Sequence, residues 1–266
     1  ASNERAGDIL LSPRFLCAQD IGILASSGYA EIEAARRPLV GVLSTGDELV
    51  APGSALGPAS IYDSNGAALC AQATEAGAEA KSYGIARDEP GALRASLGRG
   101  LDECDILLVS GGVSMGNFDY VPATLGELGV EEVFHKIAIR PGKPCFFGTK
   151  GEKLVFGLPG NPMATFVVFE TLVRPLVARM LGLAYSPRTL RARLSGPLVQ
   201  AEAERVDFLP VRVVPGDGEG PFLEPLVYHG SSMLNVLAAA DALVRLEIGT
   251  GTIPKGGWVD ARLLRP

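Results

Sequence analysis

Two glycine-rich runs, one basic run and a set of loop carboxylates are the residues through which this chain could do chemistry. The first run, Ser110-Gly111-Gly112, follows an apolar stretch at 106–109 and opens a loop that ends at Asp119. In a parallel α/β sheet ligands sit at the carboxyl ends of the strands, and a glycine pair there lets backbone N–H groups approach a phosphate. A carboxylate beyond such a turn, here Asp119, suits a magnesium ion shared with that phosphate. The second run, GLPGNP at 157–162, stands directly before a long apolar helix. Asn161 and Pro162 set the start of that helix, whose free N–H groups can bind an anion. Two such loops in one domain point to a nucleotide-like anion as ligand.

The basic run is HKIAIRPGKP at 135–144. Read as a strand over 131–139, it places Lys136 and Arg140 on one face, with Lys143 in the Pro-Gly turn that follows. In a chain of net charge −6, three cations on one short segment resemble an oxyanion site. The competing reading is an edge strand that carries charge against aggregation. Asp47, Glu48, Asp63, Asp88 and Asp119 each border a strand end or helix start. There they could hold magnesium through oxygen ligands, or simply cap helices and close turns. Further on, Arg205 suits a tetrahedral oxyanion, whereas His229 beside a turn reads as structural.

These residues need elements to position them. A helical pattern from Pro13 to Gly28 and a short strand at 29–35 lead to a hinge at Arg36-Arg37-Pro38. From Leu39 strands and helices alternate. Strands are expected at 39–43, 79–86, 106–109, 131–139, 145–148 and 154–156, and helices at 66–76, 89–101 and 162–181, the last bent at Pro175. This alternation predicts a three-layer α/β domain with a mostly parallel sheet. Beyond residue 182 short alternating runs at 190–194, 242–246 and 258–264 predict a small all-β domain. The expected units are 1–37, a remnant of something larger, then 38–182 and 183–266.

Composition narrows the classes. A chain of 266 residues, 47% hydrophobic, can build one or two cores. Its acidity argues against a general nucleic-acid surface. Cys17, Cys70, Cys104 and Cys145 form no CxxC pair, and with only two histidines they predict reduced thiols in a cytoplasmic protein rather than a zinc site. No apolar stretch is long enough to span a membrane, and no signal peptide is visible.

Six motifs occur in order: STGDEL at 44–49, IYDSNG at 61–66, ARDEP at 86–90, SGGVSMGNFD at 110–119, IRPGKP at 139–144 and GLPGNPM at 157–163. Together they resemble the molybdopterin molybdenumtransferase family, which is similar to the E domain of gephyrin. The resemblance runs from about Gly7 to the end and omits the family's second domain and most of its first. It implies magnesium-dependent insertion of molybdate into adenylated molybdopterin with release of AMP, by a homodimer whose sites draw on both subunits. It also implies a pathway partner, the adenylyltransferase that supplies the substrate.

Carried over residue by residue, the resemblance makes Asp119 and Asp88 the functional acids. Lys136 and Arg140 become the paired basic positions, and magnesium is expected on Asp119 with Glu48 or Asp88. It places Thr45, Gly46, Asp47, Asp63, Ser64, Asn65, Ser110, Gly111, Gly112, Ser114, Lys143, Pro159, Gly160 and Asn161 at the pterin nucleotide, and Arg205 and Ser231 at molybdate or phosphate. Two positions depart from the family: Arg140 replaces the usual lysine, and Met163-Ala164-Thr165 replaces the usual Val-Ser after GLPGNP. The rival functions are the molybdopterin adenylyltransferases, which share the α/β domain but lack the appended β-domain, and a non-catalytic pterin-nucleotide-binding or scaffold homologue.

Overall fold

The computed structural model describes residues 7–113, 120–216, 218, 220–227, 230 and 233–264. Helix α1 (Ala18–Ser26) comes first. Strand β1 (Leu39–Thr45), helix α2 (Ser64–Glu75), β2 (Glu79–Ala86), α3 (Pro90–Glu103) and β3 (Ile106–Ser110) then alternate as the hydrophobic pattern predicts. Helix α4 (Tyr120–Glu127), β4 (Glu131–His135), β5 (Ile139–Arg140), β6 (Phe146–Lys150) and β7 (Lys153–Leu158) follow. Helix α5 (Pro162–Val168) passes through a π-helical turn, Phe169–Val173, into α6 (Arg174–Met180). The rest comprises β8 (Thr189–Leu194), β9 (Val206–Val214), β10 (Phe222–Pro225), α7 (Leu234–Ala239), β11 (Ala242–Leu246) and β12 (Trp258–Leu263).

The first sheet has the order β2-β1-β3-β7-β6-β4. Its first four strands are parallel, while β6 and β4 are added antiparallel. Strand β3 lies at its centre and is buried on both faces. Ile106 and Leu108 join Leu69, Val168, Phe169 and Val177 of the α2 and α5–α6 layer. Leu107 and Val109 join Leu93, Leu97, Val121 and Leu125 of the α3 and α4 layer. Alternation by two therefore feeds two cores, the expected consequence of covering a parallel sheet with helices on both sides.

The second sheet runs β10-β8-β12-β11-β9-β5, and β10 pairs back onto β9. Five strands thus close on themselves around Leu194, Val211, Leu223, Val244 and Ala261, which leaves few open edges. Strand β5 adds to the outside of this closed sheet, with Val206 opposite Ile139 and Asp207 opposite Arg140.

Several sequence expectations are corrected. Residues 29–35 form no strand. Arg36 is pinned rather than hinged, its guanidinium donating to both carboxylate oxygens of Asp105 at 2.8 and 2.9 Å. The strand expected over 131–139 breaks at Lys136, a non-glycine residue at φ 95°, and only β4 belongs to the first sheet. Lys136 and Arg140 therefore do not share a strand face. The second sheet captures Ile139 and Arg140 through β9, a contact that local alternation cannot encode. Asn161 holds the N-cap position of α5 but makes no side-chain cap bond.

Candidate functional site

The glycine turns meet at the carboxyl ends of β1, β3 and β7. Gly111 N–H donates to Leu158 O at 3.0 Å, which ties the SGG turn to the start of the LPGN turn. Gly111 adopts φ 94°, and a Cβ there would lie 2.5 Å from the carbonyl oxygen of Thr45. Only glycine lets the two backbones pass this closely. The Asn65 side-chain amide then donates to Ser110 Oγ and to Gly160 O, both at 2.8 Å. One amide from the first turn of α2 thus cross-links both glycine turns. Asp63 caps that helix, its Oδ1 accepting from Gly66 N–H at 2.8 Å.

Ser44, Thr45 and Ser110 are buried at these strand ends. Among the described residues the hydroxyl oxygens of Ser44 and Thr45 have no hydrogen-bond partner. Buried hydroxyls are almost always satisfied, so two orphans beside an anion-shaped cradle mark a place where a ligand's polar atoms complete the pairing. Pro159 and Asn161 contribute through their carbonyls, both of which accept from the Thr165 hydroxyl. Thr165 is the hydroxyl displaced along the GLPGNP helix, and it faces inward to its own turn.

At the mouth of the cradle Asp47 and Glu48 follow β1. Asp88 N–H donates to Asp47 Oδ1 at 3.3 Å, so the ARDEP and TGDE segments lie side by side. The Glu48 carboxylate folds over Gly46, within 3 Å of where a Cβ would stand. Among the described residues no three His, Cys, Asp or Glu side chains converge as a ready-made metal cage. Ser64 opens α2 beside Asn65. Ser114, Asp119 and Ser231, along with His229, lie outside the described residues.

The cations converge although they come from different elements. Arg140, Pro141, Gly142, Lys143 and Pro144 line a cavity of about 320 Å³, with Asn161 and Ala164 of the α5 start on one side and Arg205 and Gly230 on the other. A second cavity, also of about 320 Å³, is lined by Lys136, Ile137, Ala138, Lys143, Arg205, Glu202 and Glu204. Lys143 and Arg205 belong to both. The IRPGKP segment is held from each end: Lys136 N–H donates to Cys145 O at 2.8 Å, and Val206 N–H donates to Ala138 O at 2.9 Å. Four positive side chains thus line two cavities that share Lys143 and Arg205, the first of them beside the LPGN turn.

Three acidic partners of these cations were not singled out from the sequence. Glu202 accepts from Arg205 Nε at 2.8 Å, and that bond, reinforced by the charges of Arg205, Arg140 and Lys143, holds its carboxyl below the usual carboxylate range. Glu204 lines the same cavity. Asp207 is fully buried, with Arg140 Nη1 at 3.8 Å from Oδ2 and with Oδ1 unpartnered among the described residues. The i, i+3 pairing of Glu202 with Arg205 was readable as a local ion pair. That it faces Lys136 and Lys143 required the fold.

Comparison with known proteins agrees with this geometry. Residues 41–179 match the family described as a probable molybdopterin binding domain, and residues 191–264 match the MoeA C-terminal region, domain IV. The chain is 36% identical over 246 residues to a molybdopterin molybdenumtransferase of Nostoc sp., covering 91% of this chain and 56% of that protein. It is 35% identical over 245 residues to the molybdopterin molybdenumtransferase of Bacillus subtilis, again covering 91% and 56%. A crystal structure of a molybdopterin biosynthesis MoeA protein from Pyrococcus horikosii superposes with a TM-score of 0.85 at 33% identity, over 97% of this chain and 62% of that one. The chain thus spans little more than half the length of the curated relatives it matches. With the STGDEL, IYDSNG and GLPGNPM motifs meeting at the strand ends of one α/β sheet and the MoeA C-terminal region supplying Arg205 to the cationic cavity, this chain belongs to the molybdopterin molybdenumtransferase family.

Proposed function

We propose that this chain carries the pterin- and oxyanion-binding part of a molybdopterin molybdenumtransferase, which inserts molybdate into adenylated molybdopterin and releases AMP. The observation that carries the proposal is the cavity where Arg140, Lys143 and Arg205 meet Asn161 of the LPGN turn. Such a concentration of cations in an acidic chain suits an anionic occupant, and positive groups in a confined space stabilise charge that develops during phosphoanhydride cleavage. The C-terminal match favours this reading over the adenylyltransferase.

In this reading the glycine turns, with Thr45, Ser110 and Asn65, hold the pterin nucleotide through backbone N–H groups and the buried hydroxyls. Lys136, Arg140, Lys143 and Arg205 neutralise molybdate and the phosphates. Magnesium fits the oxygen donors at the mouth, because it is usually held by one or two carboxylates plus substrate phosphates and waters rather than by a protein cage. Glu48 and Asp119 are its proposed ligands, and Asp88, beside Asp47, is the second functional acid. When bound, magnesium supplies Lewis-acid polarisation of the phosphoanhydride. Ser64 and Ser231 are proposed as further contacts to the nucleotide and the oxyanion.

The proposal extends to three units, 1–37, 38–182 and 183–266, and to a cytoplasmic homodimer that receives its substrate from the adenylyltransferase of the same pathway. The deciding experiment measures AMP release from adenylated molybdopterin with magnesium, with and without molybdate, for this chain and its Asp119→Ala variant. Molybdate-dependent release that vanishes in the variant supports the reading. Absence of both release and binding of the adenylate overturns it for this chain.

A further inference from the structure

The helix that follows the LPGN turn contains a buried carboxylate with no part in the chemistry above. Glu170 is 4% exposed and lies in the π-helical turn between α5 and α6. Arg174 N–H bonds to Phe169 O, as a π turn requires, and not to Glu170 O four residues back. The next residue, Pro175, has no N–H to offer. Glu170 O is thereby left without its helical partner. Arg262, from β12 of the second sheet, fills the vacancy: its Nη1 donates to Glu170 O at 2.6 Å and its Nη2 to Glu170 Oε2 at 2.5 Å. Arg174 donates to both carboxylate oxygens at 2.8 Å, and Gln72 of α2 donates to Oε1 at 2.9 Å.

One residue therefore ties together three elements. Helix α2 begins at the Asn65 cross-link, α5 begins at the LPGN turn, and β12 lies two strands from β9, which Arg205 immediately precedes. Arg205 travels with the second sheet, whereas Arg140, on β5 between β4 and β6 of the first sheet, stands at the seam where β5 is hydrogen-bonded to β9. The anion-binding turns travel with the first. The β5–β9 pairing and an apolar patch of Val167, Phe208 and Leu243 also join the two, and the two-pronged guanidinium adds a directional tie between β12 and the helices that begin at the anion-binding turns. π turns inside α-helices recur at functional sites.

We infer that the Glu170–Arg262 clamp is a positioning device that holds the cationic half of the site in register with the anion-binding turns. The kinetic part of this inference rests on the proposed function; the mechanical part does not.

The test uses Arg262→Met and the milder Arg262→Lys, whose ammonium cannot reach both Glu170 atoms. Trp258, the only tryptophan, lies on β12 and its emission reports the second sheet, while far-UV circular dichroism is dominated by the helices of the first domain. In the unmodified chain both signals should melt together. In the variants the Trp258 transition should separate and fall to lower temperature. The variants should also lose about 10- to 100-fold in kcat for molybdate-dependent AMP release, while equilibrium affinities for molybdate and for adenylated molybdopterin, each measured alone, stay within about twofold. Coincident melting in both variants overturns the clamp. Separated melting with unchanged kcat overturns its positioning role. If the unmodified chain releases no AMP, the clamp is decided by the melting curves alone, and if it also fails to bind the adenylate the proposed function fails.

Discussion

The two halves of the site are built by opposite means. The cradle at the ends of β1, β3 and β7 is made of backbone, glycines and short buried side chains, fixed by contacts such as Gly111 to Leu158 and Asn65 to Gly160. The cationic half is made of long side chains delivered by a loop and by the second sheet, with Glu202 and Asp207 as counter-charges. At Gly111 the first half tolerates no added atom, because the turn already lies against the Thr45 carbonyl. The second tolerates changes of shape but not of charge. Rigid backbone donors suit a ligand of fixed outline, and mobile cations suit one whose charge changes during reaction.

The sharpest way to break this contrast is Lys143→Ala. It should lower kcat for molybdate-dependent AMP release by about 10²–10³-fold, with thermal unfolding unchanged, as expected for removal of one charge-stabilising donor. Gly111→Ala should do the reverse and act on stability. The positive φ and the 2.5 Å approach to Thr45 O should cost about 2–4 kcal/mol in urea denaturation. Asn65→Ala should cost about 1–2 kcal/mol by the same assay, because it leaves Gly160 O and the Ser110 hydroxyl short of a donor.

Smaller effects sharpen the comparison. Glu202→Gln removes the carboxylate that competes for Arg205 and should tighten molybdate binding about two- to fivefold at low salt, less at high salt. Because Arg205 holds the Glu202 carboxyl below its usual range, the ion pair survives as pH falls through ordinary carboxylate values. It is lost only on passing the depressed value, so the unmodified protein should approach the variant's affinity only there. The smallest perturbation is thiol labelling at pH 8. Burial pushes the Cys145 thiol, just beyond the IRPGKP turn, up to about 12. Iodoacetamide should label exposed Cys17 and spare Cys145 until the protein is unfolded. Labelling of Cys145 in the native state, read by mass spectrometry, would show that this turn is not packed as described.

The amino-acid sequence by itself determined the layered α/β sheet. An all-apolar β3, flanked by helices with capping and proline signals, has few other ways to bury both faces. It also determined the glycine turns, since SGG and LPGNP encode their geometry within a few residues. It left the second sheet's largest strand, β9, unassigned, and it misread the basic segment as a continuous strand. Those errors share a cause: Lys136 turns at positive φ, and Arg140 pairs with Asp207, 67 residues away. Local periodicity carries no record of such a partner.

Only the tertiary structure decided that Lys136, Arg140, Lys143 and Arg205 line two cavities with shared walls, and that Glu202 faces Lys136 and Lys143. The same holds for the Glu170 carbonyl. Its loss of a helical partner is written in Pro175, but the guanidinium that replaces it comes from a strand 92 residues further along the chain. Turns and caps are local bargains between neighbours, legible one segment at a time. Charge convergence is a property of how two closed cores dock, and it exists only once both have folded.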